Sequence, residues 1–260
     1  MVLFFDIDGT LWNYKNEISD KTIEAIRTAR KNGHKCFINT GRARSFVTNK
    51  NLLGIGFDGI VSSCGTMIEY DGKVVFNRLL PAEDAIYSVD TVRKYGFKPI
   101  LEGPNYSYLE LSDFKGDMYG DKLIEEMGER LRGIDEYWGL WEIQKISCAT
   151  DVPAKKRNAC YDELSDIYDF IIHSDKVVEM VPKGFNKGVG IQKVCDLLGE
   201  DIADTFAFGD SINDKEMLIA AGVGVGMGET YHDLTGFADY ITTSLDNDGI
   251  WNAMKHFELI

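Results

Sequence analysis

Two acidic residues near the N-terminus have the types and spacing of a catalytic pair. Asp6 ends the apolar run 2–5, and Asp8 follows two positions later. Because side chains alternate along an extended chain, the two carboxylates point to opposite sides. We predict that Asp6 is a nucleophile that attacks a phosphorus atom. Asp8 is then the general acid for the leaving alkoxide and afterwards the general base for water.

Further polar residues follow other apolar runs or stand near the start of a predicted helix. Thr40 follows the second run, Asp210 and Asp214 follow a later one, and Lys187 lies close to a helix N-terminus. In open α/β sheets the carboxyl ends of the strands form one ligand-binding crevice. We therefore expect these side chains to meet the acidic pair there. Thr40 and Lys187 would hold the oxygens of the transferring phosphoryl group.

Four carboxylates in one crevice require a cation. Asp6, Asp8, Asp210 and Asp214 would repel one another, by about 4 kcal/mol for each pair about 4 Å apart at an effective dielectric constant of about 20. The single ammonium of Lys187 cannot offset this repulsion. A site of oxygen ligands, with room for water and phosphate, suits Mg²⁺. We predict a Mg²⁺ site formed by these four acidic residues.

The elements that must position these residues begin with alternating strands and helices. Residues 2–5 and 35–38 are continuous apolar runs, typical of strands buried on both faces of a parallel sheet. Ser19 can cap a helix between them, and a second helix is predicted over 43–53. Strands that alternate with helices at this spacing indicate a parallel sheet with right-handed crossovers.

From about residue 81 the pattern changes. Short, aromatic-rich strands are predicted at 106–110, 137–146 and 176–181, between helices that carry more charge. Strand–helix alternation then returns. We predict an α/β fold, in which a doubly wound parallel sheet carries an inserted α+β domain. The predicted bounds are 1–80 and 184–260 for the sheet domain and 81–183 for the insertion.

Composition narrows the class of partner. The 260 residues carry a net charge of −14, which would repel a polyanion such as DNA, so no nucleic-acid partner is expected. No stretch approaches the ~20 apolar residues of a membrane-spanning helix, and the N-terminus lacks a signal-peptide pattern. The five cysteines are widely spaced and odd in number, which favours reduced thiols in a cytoplasmic protein. The sequence leaves the oligomeric state open.

Each of these signals is weak alone, but their order along the chain is specific. The segments concerned are Asp6-Ile7-Asp8-Gly9-Thr10, Asn39-Thr40-Gly41-Arg42, Lys187, and Gly209-Asp210-Ser211-Ile212-Asn213-Asp214. Together they resemble the four motifs of the haloacid dehalogenase (HAD) superfamily of phosphohydrolases. The large insertion between the second and third motifs looks like the Cof-type branch, which implies a Rossmann-like core and an α/β cap.

The resemblance implies roles around the metal. It implies an aspartyl-phosphate intermediate on Asp6. It also implies Mg²⁺ held by the side chains of Asp6 and Asp210 and by the backbone carbonyl of Asp8. Asp214 would anchor metal-bound water.

The resemblance also implies a substrate-binding set. Asn213 would help to orient Lys187 or the phosphate. The predicted substrate-binding residues are Thr40, Gly41, Arg42, Lys187 and Asn213.

We predict a Mg²⁺-dependent phosphatase that hydrolyses a small phosphorylated metabolite, such as a sugar phosphate. The cap would exclude water and select the leaving group. The branch often has Asn-Gly after the third strand, and the Ser63-Cys64-Gly65 found here affects the substrate side of the site. Two alternatives stay open. One is a hexose phosphomutase of the same superfamily, and the other is a non-enzymatic phospho-receiver in which Asp6 takes up the phosphoryl group as a signal.

Overall fold

Two compact units make up the protein. The computed structural model describes residues 1–115, 118–228 and 234–260. In this part of the chain every helix is too short or too polar to cross a membrane. Each unit is assembled from separate stretches of sequence, which are Met1–Gly41, Thr48–Asn77 and Phe185–Ile260 for unit 1, and Arg42–Val47 and Arg78–Gly184 for unit 2.

Strands and helices are numbered along the chain. The described strands are β1 (Val2–Phe5), β2 (Lys35–Asn39), β3 (Gly59–Ser62), β4 (Met67–Tyr70), β5 (Lys73–Asn77), β6 (Lys98–Glu102), β7 (Ser107–Tyr108), β8 (Leu131–Arg132), β9 (Lys145–Ala149), β10 (Tyr168–Ser174), β11 (Val177–Pro182), β12 (Thr205–Gly209), β13 (Val223–Gly226) and β14 (Tyr240–Ile241). The described α-helices are α1 (Asp20–Lys31), α2 (Lys50–Leu53), α3 (Ala82–Tyr95), α4 (Met118–Met127), α5 (Ala154–Leu164), α6 (Lys187–Leu198), α7 (Lys215–Ala220) and α8 (Gly249–His256).

The sheet of unit 1 has β1 in its interior. Its strand order is β14-β13-β12-β1-β2-β3-β4-β5. β1 pairs in parallel with β2 on one side and with β12 on the other, and β4 and β5 extend the sheet antiparallel. All four residues of β1 are buried, as expected for a strand covered on both faces. The carboxyl ends of β1, β2 and β12 therefore lie at one edge of the sheet.

Helices cover both faces of this sheet. Val2 and Phe4 belong to a buried cluster that includes Ile191 of α6 and residues of α7. The side chain of Phe5 points to the other face of β1 and stacks on Phe208 of β12, at 4.7 Å between ring centroids. Helix α1 contacts both β2 and α8. This arrangement confirms the predicted doubly wound α/β fold.

Unit 2 has its own sheet and its own core. The strand order is β10-β11-β9-β6-β7-β8. Helices α3 and α5 contact each other and bury Val89 and Leu164 in a cluster with Ile146 and Val178 of the sheet. A second, smaller cluster contains Ile100 of the sheet and residues of α4. Unit 2 is thus an α+β domain.

The units divide the chain differently from the prediction at residues 42–47, and by a few residues at 78–80 and 184. Residues 42–47 belong to unit 2, whereas the prediction put all of 1–80 in the sheet domain. The reason is packing, because Ser45 hydrogen-bonds Ser107 at 3.1 Å between hydroxyls and Phe46 packs against the Ile100 cluster.

The predicted helix over 43–53 is wrong. The chain forms a 3₁₀ turn at Arg44–Phe46 and a separate helix α2. Asn49 explains the break, because its side chain accepts the backbone N–H groups of Asn51 and Leu52 and so starts a new helix.

The strand predicted at 137–146 is also too long, since β9 begins only at Lys145. The aromatic residues before it pack in a turn instead. Trp138 and Trp141 lie 5.0 Å apart between ring centroids, and the indole of Trp141 donates to the Ile134 carbonyl at 3.1 Å. Trp141 is thus buried without strand pairing, whereas Trp138 stays exposed beside it.

The start of α6 matters because Lys187 is its first residue. Asn186 precedes it as the N-cap, and its side chain accepts the Val189 backbone N–H at 2.8 Å. A cap of this kind satisfies one of the backbone N–H groups that a helix N-terminus leaves unpaired. The cap fixes the backbone from which the Lys187 side chain extends.

We expect Asn186→Ala to lower the free energy of unfolding by about 1 kcal/mol, because the Val189 N–H loses its acceptor. Asn186→Ser is the matched control, since a serine hydroxyl can cap the same N–H. Thermal and denaturant unfolding of both variants measure the effect. Equal stability of the alanine and serine variants would contradict the prediction.

Candidate active site

Parallel pairing of β1 and β12 brings the acidic residues of the first and last motifs together. Asp6 directly follows β1, and its backbone N–H donates to the Phe208 carbonyl of β12 at 3.0 Å. Asp210 follows β12 directly. Carboxylate oxygens of Asp6, Asp210 and Asp214 all lie within 4.8 Å of one another.

Lys187 is the cationic centre of this group. Its ammonium nitrogen Nζ lies 2.7 Å from Asp6 Oδ1, 2.5 Å from Asp214 Oδ1 and 3.0 Å from Asn213 Oδ1. The side chain is fully buried. A buried ammonium is stable only when it is paired and hydrogen-bonded, and here three oxygens meet that need.

Asp214 also organises the loop around it. Its second oxygen, Oδ2, accepts the backbone N–H of Asp210 at 2.9 Å and that of Ser211 at 3.0 Å. Ser211 in turn donates its hydroxyl to Asn213 Oδ1 at 2.8 Å. Both oxygens of Asp214 are therefore engaged by the protein, and the loop holds Asp210 and Lys187 in fixed places.

Thr10 holds the Asp210 carboxylate through a hydrogen bond, a role that sequence reasoning did not assign. Its hydroxyl donates to Asp210 Oδ1 at 2.9 Å, and the side chain is fully buried. Gly9 makes this approach possible. It has a positive φ of 82°, and a side-chain carbon there would collide with the Asp210 carboxylate. The position of Thr10 two residues after Asp8 is the sequence signal for this contact.

The side chain of Asp8 lies outside the cluster of carboxylate oxygens. The cluster of carboxylate oxygens contains Asp6, Asp210 and Asp214 but not Asp8. Asp8 is exposed and accepts the indole N–H of Trp12 at 2.9 Å. The predicted site of four carboxylates is therefore a cluster of three among the described residues, and the separation is compatible with different roles for Asp6 and Asp8.

The second motif divides between the two units. Thr40 is buried after β2, and its backbone N–H donates to the Val61 carbonyl at 2.9 Å. Gly41 is also buried and ends its stretch of unit 1. Arg42, however, belongs to unit 2, where its guanidinium lies 3.5 Å from the Glu126 carboxylate. The structure of unit 1 thus places Thr40 and Gly41 at the sheet edge but does not include Arg42.

The turn after β3 supports Thr40. Ser63, Cys64 and Gly65 all have positive φ values, of 49°, 54° and 87°, and the Cys64 N–H donates to the Thr40 carbonyl at 3.1 Å. Both backbone groups of Thr40 are therefore bonded, one to β3 and one to this turn. The departure from Asn-Gly noted in the sequence falls on this supporting turn.

Asn39 is a second residue that sequence reasoning missed. It is fully buried, and its side-chain amide donates to the Lys187 carbonyl at 3.0 Å and to Met217 Sδ at 3.6 Å. Asn39 therefore ties the end of β2 to the first residue of α6. A polar residue among the apolar residues of β2 was the available signal.

Negative charge exceeds positive charge in the cluster. Burial raises the pKa of Asp6 well above its ordinary value, and Asp214 adds to the rise while Lys187 opposes it. Burial, followed by the charge of Asp214, raises the pKa of Asp210 to about 7. Burial alone would lower the pKa of Lys187, but Asp214 and Asp6 reverse this and hold it above its ordinary value.

The donor set fits a hard divalent cation. Carboxylate oxygens are the ligands that Mg²⁺ prefers, and the oxygens of Asp6, Asp210 and Asp214 are close enough to share one ion. Burial, followed by the charge of Asp214, raises the pKa values of Asp6 and Asp210, and the positive charge of a divalent cation would oppose both effects.

Comparison with known proteins extends over nearly the whole chain. The sequence model of the haloacid dehalogenase-like hydrolase family matches residues 3–254. The protein YkrA of Bacillus subtilis (strain 168) is 28% identical over 264 residues, which cover 100% of this chain and 98% of YkrA. The 5-amino-6-(5-phospho-D-ribitylamino)uracil phosphatase YitU of the same organism is 25% identical over 268 residues, covering 98% and 97% of the two chains.

The fold comparison agrees with the sequence comparison. The solved structure of BT4131, a sugar phosphatase of HAD subclass IIB, has a TM-score of 0.85 and 26% identity. The match covers 100% of this chain and 99% of the other. On the strength of the family match, which leaves only a few terminal residues uncovered, the chain belongs to the haloacid dehalogenase-like hydrolase family and is one of its phosphatases.

Proposed function

We propose that this phosphatase is Mg²⁺-dependent and hydrolyses small phosphorylated metabolites, most specifically sugar phosphates, through an aspartyl-phosphate on Asp6. The observation that carries the proposal is the buried cluster in which Lys187 lies within 2.7 Å of Asp6 and 2.5 Å of Asp214. The substrate class is supported by the likeness to BT4131, a sugar phosphatase, and to YitU, a phosphatase of a phosphorylated ribityl compound.

Asp6 and Asp210 would hold the cation through their side chains, the Asp8 carbonyl would add a backbone ligand, and Asp214 would anchor metal-bound water. When bound, the ion supplies positive charge that neutralises phosphate oxygens and orients the phosphoryl group. Asp6 must be ionised to act as a nucleophile, and the charges of Lys187 and of a bound cation would favour that form.

The protein's own groups carry the two steps. Lys187 fixes Asp6 Oδ1 at 2.7 Å, while Asp6 Oδ2 accepts no hydrogen bond from the described residues and is the oxygen that would attack phosphorus. Thr40 and Lys187 would hold phosphoryl oxygens as their charge grows. Asp8 would protonate the leaving oxygen and then take a proton from the water that cleaves the aspartyl-phosphate.

The phosphomutase alternative needs a second phosphate site in unit 2. Such a site would use arginine side chains that converge on one place. The four arginines of residues 81–183 are instead each engaged within unit 2. Their partners are the Asp135 carboxylate for Arg93, the Glu126 carbonyl for Arg130, the Glu129 carbonyl for Arg132 and the Asp175 carboxylate for Arg157. This favours hydrolysis over mutase activity.

The nucleophile test uses Asp6→Asn with a panel of glucose 6-phosphate, ribose 5-phosphate, glycerol 3-phosphate and 4-nitrophenyl phosphate. We expect release of inorganic phosphate to require Mg²⁺, to stop with EDTA, and to fall more than about a thousandfold in the variant. Asp71→Asn is the matched control, because Asp71 lies exposed in the β4–β5 turn with a positive φ that asparagine tolerates.

Four outcomes would contradict the proposal. Phosphate release in the presence of EDTA would contradict the dependence on Mg²⁺, and phosphate release by Asp6→Asn would contradict the role of Asp6 as nucleophile. Interconversion of 1-phosphate and 6-phosphate sugars without phosphate release would favour the mutase. A long-lived phosphorylated Asp6 without turnover would favour the phospho-receiver.

Thr10→Val tests whether the hydrogen bond from Thr10 helps Asp210 to bind the metal. The change removes the hydroxyl that holds Asp210 Oδ1, and loss of such an outer partner weakens metal binding by about tenfold or more. Titration calorimetry with Mg²⁺ measures the affinity, and Thr10→Ser is the control that keeps the hydroxyl. The idea fails if the valine variant binds Mg²⁺ as tightly as the serine variant.

A pH effect on stability follows from the Asp210 pKa of about 7. An unfolded aspartate titrates near about 4, so between about pH 4 and pH 7 the folded metal-free protein holds an extra proton and loses stability as pH rises. Without metal, we expect the Tm of the wild type, measured relative to that of Asp210→Asn, to decrease as the pH rises from about 4 to about 7. Saturating Mg²⁺ should remove the decrease. Parallel Tm curves for the two proteins without metal would contradict the assignment.

A further inference from the structure

The acid–base carboxylate of the proposed mechanism has a buried tryptophan partner. The indole nitrogen Nε1 of Trp12 donates a hydrogen bond to Asp8 Oδ1 at 2.9 Å. Trp12 is only 3% exposed, whereas Asp8 is exposed. Because an indole N–H can donate but not accept, this contact orients the carboxyl group without competing for its proton.

The loop after β1 builds this contact. The Ile7 carbonyl accepts the backbone N–H groups of Leu11 at 3.0 Å and Trp12 at 3.1 Å, and the Gly9 N–H donates to the Trp12 carbonyl at 3.0 Å. The loop therefore folds back and pairs residue 12 with residue 8 in an isolated bridge. Backbone bonds and burial fix the indole, so Trp12 is the rigid member of the pair.

We propose that Trp12 positions Asp8 for proton transfer, by holding Oδ1 so that Oδ2 carries and delivers the proton. This inference rests on the function proposed above. In a carboxylic acid the carbonyl oxygen accepts hydrogen bonds better than the hydroxyl oxygen, so a donor at Oδ1 favours the proton on Oδ2. Trp12 acts through Asp8 and is a positioning residue.

The proton transfers balance over the two steps. In the first, an Asp6 carboxylate oxygen bonds to phosphorus while the bond from phosphorus to the leaving oxygen breaks, and Asp8 Oδ2 gives that oxygen its proton. In the second, Asp8 Oδ2 takes a proton from water as the water oxygen bonds to phosphorus and the bond between phosphorus and Asp6 breaks. Inorganic phosphate leaves, and Asp8 is protonated again.

Fixing one oxygen matters because Asp8 is exposed. An unrestrained aspartate populates several rotamers and presents either oxygen to the substrate. Proton transfer requires one oxygen within hydrogen-bond reach of the reacting atom. The hydrogen bond from the buried indole N–H restricts this freedom in the protonated acid, and it becomes charge-assisted once Asp8 has given up its proton.

The test compares two leaving groups in Trp12→Phe, which keeps an aromatic ring and removes the N–H. Sugar alkoxides need a proton to leave, whereas 4-nitrophenolate does not. We expect kcat/KM to fall about tenfold to a hundredfold for the sugar phosphate that the wild type hydrolyses fastest, and to stay within about threefold for 4-nitrophenyl phosphate. The ratio kcat/KM reports only the steps up to departure of the leaving group, so hydrolysis of the aspartyl-phosphate does not enter.

Trp141→Phe is the matched control. Trp141 is also buried, at 6% exposure, and its indole N–H donates to the Ile134 carbonyl at 3.1 Å in unit 2. We expect this variant to leave the ratio between the two substrates unchanged, whatever its stability. Asp8→Asn removes the acid itself, so its change in the ratio of kcat/KM between the two substrates is the upper limit for the change expected in Trp12→Phe.

If Trp12→Phe does not fold, 3-benzothienylalanine at position 12 replaces the N–H by sulfur in a ring of the same shape. Equal losses on both substrates, or no loss on either, would overturn the role of Trp12. These results are distinguishable from failure of the proposed function, which would show as a wild-type protein without Mg²⁺-dependent turnover or as an active Asp6→Asn variant.

Discussion

A single buried ammonium among carboxylates is the constraint on which the site depends. Lys187 is fully buried against Asp6 and Asp214, and one positive charge cannot balance them together with Asp210 nearby. Burial first, and then this excess of negative charge, raise the pKa values of Asp6 and Asp210. The same imbalance makes the site receptive to a cation and, once the cation is bound, to a phosphate group. An acidic protein of net charge −14 can thus bind an anionic substrate.

The fold serves this constraint by fixing each charged group through its backbone. β1 and β12 lie side by side, so Asp6 and Asp210 leave the same edge of the sheet. Asn186 caps the helix that begins with Lys187, and Asn39 holds the Lys187 carbonyl from β2. Because these supports are hydrogen bonds between neighbouring elements, the charged side chains need little reorganisation during the reaction.

Sequence reasoning predicted the residues whose role follows from strand order. Asp6 and Asp210 were predicted from the rule that strand ends meet, and Lys187 from its place near the start of the helix after the insertion, because both arguments need only the sequence of elements. Thr10, Trp12 and Asn39 were missed as supports because their contacts depend on where a loop or side chain turns in three dimensions. The same limit applies to Arg42, which the motif places beside Thr40 but which packs in unit 2. The helix predicted over 43–53 was likewise wrong, because Asn49 caps a new helix within that range.

The pairing of β1 with β12 has a consequence for synthesis of the chain. Val2 lies opposite Thr205, so on a ribosome adding about 5–20 residues per second the first strand waits roughly 10–40 seconds for one of its two neighbours. Most of unit 2 is one continuous stretch, Arg78–Gly184, and can fold within that interval. The apolar strand β1 therefore lacks one of its two neighbours for most of synthesis, and Phe185–Ile260 completes the unit to which it belongs.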